Sequence, residues 1–203
     1  MLAPDPRGAD GRRLSPIKIR QTVSELMIYD ADDEDSSDEA KEFLSTYDIG
    51  AWTVAAAGSH GVGDLSKTLQ EFCHIEQLSF CTHGLPGLVS FARGNLETAN
   101  LKTVIVPRTL FRAAGRLLFM GCGTARSKVG EDFLVAAGRH FFVGKGGVVG
   151  GASTATSGRS SGTILPFVDW SLSRGCEVGK LVLIQLDAGG KIIGRNTVGA
   201  GPF

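Results

Sequence analysis

The stretch that decides the fold begins with IEQLSFCTHG at 75–84 and closes with LLFMGCG at 117–123. Each run starts as an apolar strand and ends in a glycine-containing loop with one reactive side chain, His83 in the first and Cys122 in the second. Ligands and catalytic groups of α/β sheets gather outside the carboxyl ends of the strands. A thiol needs a neighbouring base or cation to act as a nucleophile near neutral pH. The pattern therefore predicts a His83–Cys122 dyad.

Around this stretch, the composition is that of one ordinary folded domain. The chain has 203 residues, of which 42% are hydrophobic, and its 21 basic residues balance its 21 acidic residues. This balance indicates neither a disordered chain nor the basic surface that binds nucleic acid, and the length suits a single core. The proline- and arginine-containing start predicts a flexible N-terminal arm over 1–22, followed by one α/β domain over 23–203.

The cysteines and the hydropathy pattern exclude several classes of protein. Four cysteines lie far apart, at Cys73, Cys81, Cys122 and Cys176, without the spacing of a zinc site or a disulfide framework. The sequence has no apolar leader and no apolar run of about 18 residues that would cross a membrane. We therefore expect a cytoplasmic protein without a membrane partner or a bound metal, while export that needs no cleavable signal stays open.

An acidic run follows the first predicted strand. Seven of the ten residues at 30–39 are acidic, which predicts a solvated loop because like charges repel each other. A calcium site at 30–39 is the functional alternative, since clustered carboxylates suit that ion, although the spacing differs from that of the helix–loop–helix calcium motif. Ser36 and Glu39 match a capping box at the start of an amphipathic helix.

A glycine-rich turn, GSHGVG at 58–63, follows the second predicted strand. Backbone N–H groups in such a turn bind phosphate when a helix starts behind it, and here Asp64 is the predicted helix cap. The turn lacks both the Lys-Ser/Thr pair of a phosphate loop and the G-x-G-x-x-G pattern. A flavodoxin-like nucleotide binder is kept only as an alternative hypothesis. His60 is the reserve candidate for a base.

Strand and helix patterns alternate along the chain. Strands are predicted at 24–29, 52–57, 75–82, 116–120, 148–152, 181–186 and around 192–193, and helices after 36 and 64 and at 109–114, 127–138 and 164–174. This order predicts an α/β fold with a mostly parallel sheet of about six strands and helices on both faces. An antiparallel hairpin is expected to close the C-terminal edge.

Three motifs together resemble a known fold. THGLPG at 82–87, LFMGCGTA at 118–125 and ASTATSG at 152–158 resemble the caspase-like fold of clan CD cysteine peptidases. They are similar in particular to the bacterial caspase-like domain of uncharacterised function found in large surface proteins. The resemblance covers about 23–195 and implies a three-layer sandwich. It also implies His83 as the base, Cys122 as the nucleophile, and an oxyanion hole formed by the backbone N–H groups of Gly84 and Cys122.

The resemblance implies hydrolysis of a peptide or protein substrate without a cofactor. In this fold the residue before the cleaved bond is expected to contact Asp30, Ser153, Thr154 and Thr156, which offer an anion and hydroxyls and so predict a preference for a basic residue. The Gln-Ala-Cys-x-Gly context of caspases is missing, as is a clear arginine pair for an aspartate pocket. A catalytically silent binding or scaffolding module of the same fold is the alternative from another class. The sequence does not indicate an oligomeric state.

Overall fold

The computed structural model describes residues 20–46, 53–153 and 181–198. Within these ranges the helices are α1 (Glu34–Thr46), α2 (Val62–Leu69) and α3 (Ser127–Phe142), with a 3-10 turn at Leu101–Thr103. The strands are β1 (Gln21–Thr22), β2 (Glu25–Asp30), β3 (Val54–Ser59), β4 (Phe72–Cys73), β5 (Ile75–Cys81), β6 (His83–Leu85), β7 (Leu88–Phe91), β8 (Gly94–Glu97), β9 (Phe111–Phe119), β10 (Gly147–Ala152), β11 (Leu181–Leu186) and β12 (Ile192–Val198). The protein is thus a mixed α/β fold.

A large sheet organises the described part of the chain, with seven strands in the order β12-β11-β10-β9-β5-β2-β3. Within this sheet, the neighbouring strands in the run β10-β9-β5-β2-β3 pair in parallel. Strand β11 pairs antiparallel with both β10 and β12. The sheet is therefore mixed, not the mostly parallel sheet of about six strands that we expected. The short turn between β11 and β12 allows only an antiparallel pair, because parallel neighbours need a crossover of a dozen or more residues. The predicted C-terminal hairpin is confirmed.

Alternate side chains of β2 pack into two different apolar clusters. Leu26 and Ile28 join the large cluster, which also holds the buried side chains of α2 and α3. Met27, between them, packs in a small cluster with Ala40 of α1. Successive side chains of a strand point to opposite faces of its sheet, so α1 packs on the face of β2 that carries Met27, opposite the face that carries Leu26 and Ile28.

A second sheet of three strands, β6-β7-β8, extends from the carboxyl end of β5. Its register places Val89 opposite Leu96, and both are fully buried in the large cluster. The opposite face is open, since His83 and Leu85 of β6 are exposed while Gly84 between them is buried. The small sheet is therefore amphipathic, and its first residue is the candidate base.

The expectation of a helix at 109–114 is wrong, because β9 already begins at Phe111. Phe111 is 2% exposed and pairs with Ile75 across an irregularity in the register. Its ring lies where a side chain at position 115 would stand, 2.3 Å from an ideal Cβ on Gly115. Pairing with β5 and burial of this ring thus override the helix propensity of the alanines.

The helix boundaries also differ from the sequence pattern. Helix α2 begins at Val62 after Gly61, so Asp64 lies in its first turn and is not its cap. Helix α3 does not end at Gly138 but continues to Phe142, with Val143 in the left-handed conformation at φ 46°. Gly138 instead allows close packing, because an added Cβ would lie 2.7 Å from Leu186. The predicted helix at 164–174 and most of the predicted arm lie outside the described residues, and Gln21–Thr22 pair with Phe72–Cys73.

Candidate active site

The parallel strands of the large sheet bring their carboxyl ends to one edge. Strands β2, β5, β9 and β10 end there at Asp30, Cys81, Phe119 and Ala152. The rings of Phe80 and Phe119 stack with centroids 5.2 Å apart, directly before the two reactive loops. The site therefore lies on a pair of packed aromatic rings, at the edge where α/β sheets gather their functional groups.

The structure brings the His-Gly and Gly-Cys segments into backbone contact. Phe80 pairs with Phe119, and the N–H of Met120 donates to the carbonyl of Phe80 at 2.9 Å, which carries the pairing to the loops. An ideal Cβ on Gly121 would stand 2.9 Å from the backbone N of Gly84 and 2.9 Å from the carbonyl C of His83. Only glycine permits this approach, and it places Cys122 one residue from the contact.

Thr124 supports the contact from within, although no sequence pattern singled it out. Its side chain is fully buried, and its hydroxyl donates to the carbonyl of Gly121 at 3.0 Å. Its own carbonyl accepts the N–H of Gly87 at 3.0 Å, which links the Cys122 loop to the turn of the small sheet. An ideal Cβ on Gly84 would lie 2.3 Å from the Thr124 hydroxyl. Thr124 thus sets the spacing of the two segments.

Among the described residues, Cys81 and Cys122 lie near this edge, in different environments. Cys122 is half-buried. Cys81 is buried, and its thiol donates to the carboxylate of Glu39. Burial, together with that carboxylate, raises the pKa of the Cys81 thiol well above its ordinary value. Since the thiolate is the nucleophile, Cys81 is unsuited to that role.

Asp33, which the sequence did not single out, faces the candidate base. Its Oδ1 lies 3.4 Å from Nε2 of His83, whose side chain is 67% exposed. Its Oδ2 accepts the N–H of Ser36 at 2.9 Å and the Ser36 hydroxyl at 2.5 Å. Burial raises the pKa of this carboxyl, but the bonds from Ser36 and the neighbouring His83 outweigh burial and leave the pKa below its ordinary value.

Asp33 also corrects the expected start of the first helix. The predicted capping box placed Ser36 before the helix, but α1 begins at Glu34, and the Ser36 N–H donates to Asp33. Asp33 therefore has the position and the bond of an N-cap residue. An acidic residue three positions before a serine was the available signal, because the aspartate and the serine can both cap a helix.

Asp30, expected to contact substrate, has a structural environment instead. Its side chain is only 3% exposed. Its two oxygens accept backbone N–H groups, Oδ1 from Asp32 at 3.1 Å and Oδ2 from Ala92 at 2.7 Å. Ala92 lies in the turn between β7 and β8. Asp30 therefore joins the end of β2 to the tip of the small sheet.

Asp32 holds the reserve base candidate. Its Oδ1 lies 2.9 Å from Nδ1 of His60, and its Oδ2 lies 2.9 Å from Nε of Arg93. The hydrogen bond with His60 is the main cause of the lowered pKa of Asp32, and the charge of Arg93 adds to it. The structure thus holds two neighbouring Asp–His pairs, of which only Asp33–His83 involves the segment in contact with Gly121.

The remaining predicted residues lie at the end of β10. Ser153 is half-buried there, and the N–H of Ala125 donates to the carbonyl of Ala152 at 2.8 Å, so this end adjoins the loop after Cys122. Thr154 and Thr156 lie outside the described residues. Within 20–46, 53–153 and 181–198, no three His, Cys, Asp or Glu side chains are placed to hold a metal ion.

Comparison with known families gives one match, to the domain of unknown function DUF4347 over residues 35–181. The chain belongs to this family. The match includes both reactive segments and Ser153, although the family description names no activity. No curated protein and no solved structure matches the chain. In the described part of this family member, no helix is long and apolar enough to span a membrane.

Proposed function

We propose that the protein is a cysteine peptidase with a His83–Cys122 dyad in a three-layer, caspase-like sandwich. The contact between Gly121 and the His83–Gly84 backbone carries the proposal, because it brings together the two segments that hold the thiol and the imidazole, at the carboxyl-end edge of the sheet. Three layers are supported because Met27 packs with α1 on one face of β2, while Leu26 and Ile28 on the other face belong to the cluster that holds the side chains of α2 and α3.

In the proposed reaction, His83 takes the proton of the Cys122 thiol, and the sulfur attacks the carbonyl carbon of the scissile bond. The tetrahedral intermediate collapses when protonated His83 gives its proton to the leaving amine. Water, deprotonated by the same imidazole, then hydrolyses the thioester, and the thiol recovers its proton. No cofactor enters this cycle.

The backbone N–H groups of Gly84 and Cys122 are the proposed donors to the oxyanion. Gly84 is buried between exposed neighbours and lies against Gly121, so its backbone is held in place without a side chain to block access. Donors fixed before the reaction need no reorganisation, and removing one typically slows catalysis by about 100- to 1,000-fold.

The proposed role of Asp33 is positioning. Its carboxylate, held by Ser36, contacts Nε2 of His83, which leaves Nδ1 as the ring nitrogen for the thiol. Its negative charge also favours the imidazolium that forms when the thiol loses its proton. Asp33 would act on substrate only through His83.

The preference for a basic residue before the cleaved bond remains part of the proposal, but its source changes. Asp30 is buried and already accepts two N–H groups. Asp32 is the more accessible carboxylate of the same loop, and it is shared by Arg93 and His60. A substrate cation would therefore have to compete with Arg93 for Asp32.

The decisive experiment is incubation of a diverse peptide library with wild type and with Cys122→Ala, followed by mass spectrometry. We expect cleavage by wild type and none by Cys122→Ala or His83→Ala. Iodoacetamide should label Cys122 much faster than Cys81, whose thiol is buried beside a carboxylate. Labelling at equal rates without cleavage would instead favour a silent binding module, and specific retention on immobilised nucleotides would favour the nucleotide binder.

The cysteine variant has a matched control in Cys81→Ala. Cys122→Ala and His83→Ala should change the free energy of unfolding by no more than about 1–2 kcal/mol, since neither side chain is fully buried. Cys81→Ala should leave activity in place and lower stability. If Cys81→Ala and Cys122→Ala removed activity equally, the cysteines would act through packing and not through catalysis.

A further inference from the structure

The open face of the small sheet carries apolar side chains beside the candidate base. His83 and Leu85 alternate with buried Gly84 along β6, so both side chains lie on the same face. Leu88 is paired with Leu85 across the hairpin, and directly opposite residues of an antiparallel pair share a face. Leu85 is nevertheless 60% exposed.

A second element borders this surface. The side chain of Val129, near the start of α3, is 62% exposed, and its Cγ1 would lie 2.7 Å from an ideal Cβ on Gly87 in the β6–β7 turn. The loop from Cys122 to Arg126 leads directly into this helix. We name Leu85, Leu88 and Val129 the hairpin patch; it joins the hairpin that begins at His83 to the helix that follows Cys122.

We infer that the hairpin patch is the subsite for the residue immediately after the cleaved bond, and that it selects an apolar side chain there. This inference rests on the proposed function. The imidazole of His83 must face the leaving amine in order to protonate it, so the chain beyond that amine passes along the His83 side of the site. Leu85 is the next side chain on that face.

Polar side chains on the same face of the small sheet mark where the apolar subsite ends. Ser90 lies opposite His83, and its hydroxyl donates to Asn95 on β8 at 3.0 Å. This hydrogen bond occupies the Ser90 hydroxyl and the side-chain oxygen of Asn95, whereas Leu85 offers only apolar surface. Burying an apolar substrate side chain against Leu85 removes water from both surfaces, and such a contact typically discriminates by about tenfold or more.

The test compares two peptides that differ only in Leu or Ser after the cleaved bond, taken from library sequences that wild type cleaves. We expect kcat/KM to be about tenfold higher for the Leu peptide. Leu85→Ser and Val129→Ser should reduce this ratio towards one, mainly by lowering kcat/KM for the Leu peptide. Ile105→Ser is the matched control, because Ile105 is 63% exposed and precedes β9, at the opposite end of that strand from Cys122.

The outcomes separate the two proposals. Equal cleavage of both peptides by wild type, or a preference that survives in Leu85→Ser and Val129→Ser, overturns the subsite and leaves the peptidase proposal standing. If wild type cleaves nothing, the peptidase proposal fails, and fluorescence anisotropy with labelled Leu and Ser peptides decides the subsite. Tighter binding of the Leu peptide that is lost in Leu85→Ser supports an apolar subsite in a silent module, and equal binding overturns it.

Discussion

Replacing Asp33 with Asn tests the least expected part of the proposed site. The change removes the negative charge beside His83 but keeps an oxygen that can accept the N–H of Ser36. Asn and Asp cap helices about equally well, so α1 should retain its start. The variant therefore separates the charge of Asp33 from its role as a cap.

The exposure of the pair sets the size of the effect. At the 3.4 Å that separates Nε2 of His83 from Oδ1 of Asp33, two unit charges in water attract by roughly 1 kcal/mol. Exposed ion pairs typically contribute about 0.2–1 kcal/mol. His83 is 67% exposed, so we expect kcat to fall about fivefold at low salt, far less than the roughly 10,000-fold loss seen when a buried triad aspartate is changed.

The assay is steady-state hydrolysis of a fluorogenic peptide by wild type, Asp33→Asn and Ser36→Ala. The loss in Asp33→Asn should appear in kcat with KM within about twofold, and it should shrink in 1 M salt, where exposed charges are screened over about 3 Å. Ser36→Ala removes one hydroxyl bond but keeps the charge, so it should lower stability more than activity. Unchanged kcat in Asp33→Asn, or an equal loss in Ser36→Ala, would refute the positioning role.

Further predictions concern the glycine contact, acid stability and specificity. Gly121→Ala should lower kcat/KM by about 100-fold, since a displacement near 1 Å at a reacting group has that effect, while Gly63→Ala, with open space around it, should leave activity intact. The folded-state pKa of Asp33 is lowered, so its stabilisation is present above about pH 4 and lost as the pH falls further. Urea unfolding at pH 6 and pH 3 should therefore show a smaller loss for Asp33→Asn than for wild type. Arg93→Ala removes the competing guanidinium from Asp32, which keeps His60 as a partner. It should raise the preference for Arg over Leu before the cleaved bond, and an unchanged ratio would exclude Asp32 as its source.

The sequence was informative where strands run into glycine loops. His83 and Cys122 could be chosen because each follows an apolar run, and the parallel register of β5 and β9 then brings the His83–Gly84 backbone against Gly121, the neighbour of Cys122. This inference needs only local patterns and the geometry of parallel sheets. The C-terminal hairpin was also predictable from a local pattern, because the turn between its two strands is too short for a parallel crossover.

The partners of His83 could not be predicted, because they depend on how loops fold over the edge. The acidic run at 30–39 contains seven carboxylates, and nothing in their spacing distinguishes Asp33, which lies beside His83, from Asp30, which is buried. The helix expected at 109–114 failed for a related reason. Pairing between Phe111 and Ile75 joins residues 36 positions apart, which a local pattern of Ala and Arg does not reveal.

The bond from Ala92 to Asp30 has a consequence for local unfolding. Ala92 is exposed at the tip of the small sheet, yet its N–H is held by a carboxylate that is almost wholly buried. Lifting that tip would leave a buried acceptor without its partner, which typically costs about 1–3 kcal/mol or more for a charged group. The hairpin that begins with His83 should therefore open together with the end of β2, as one cooperative unit, and not fray from its turn as surface hairpins commonly do.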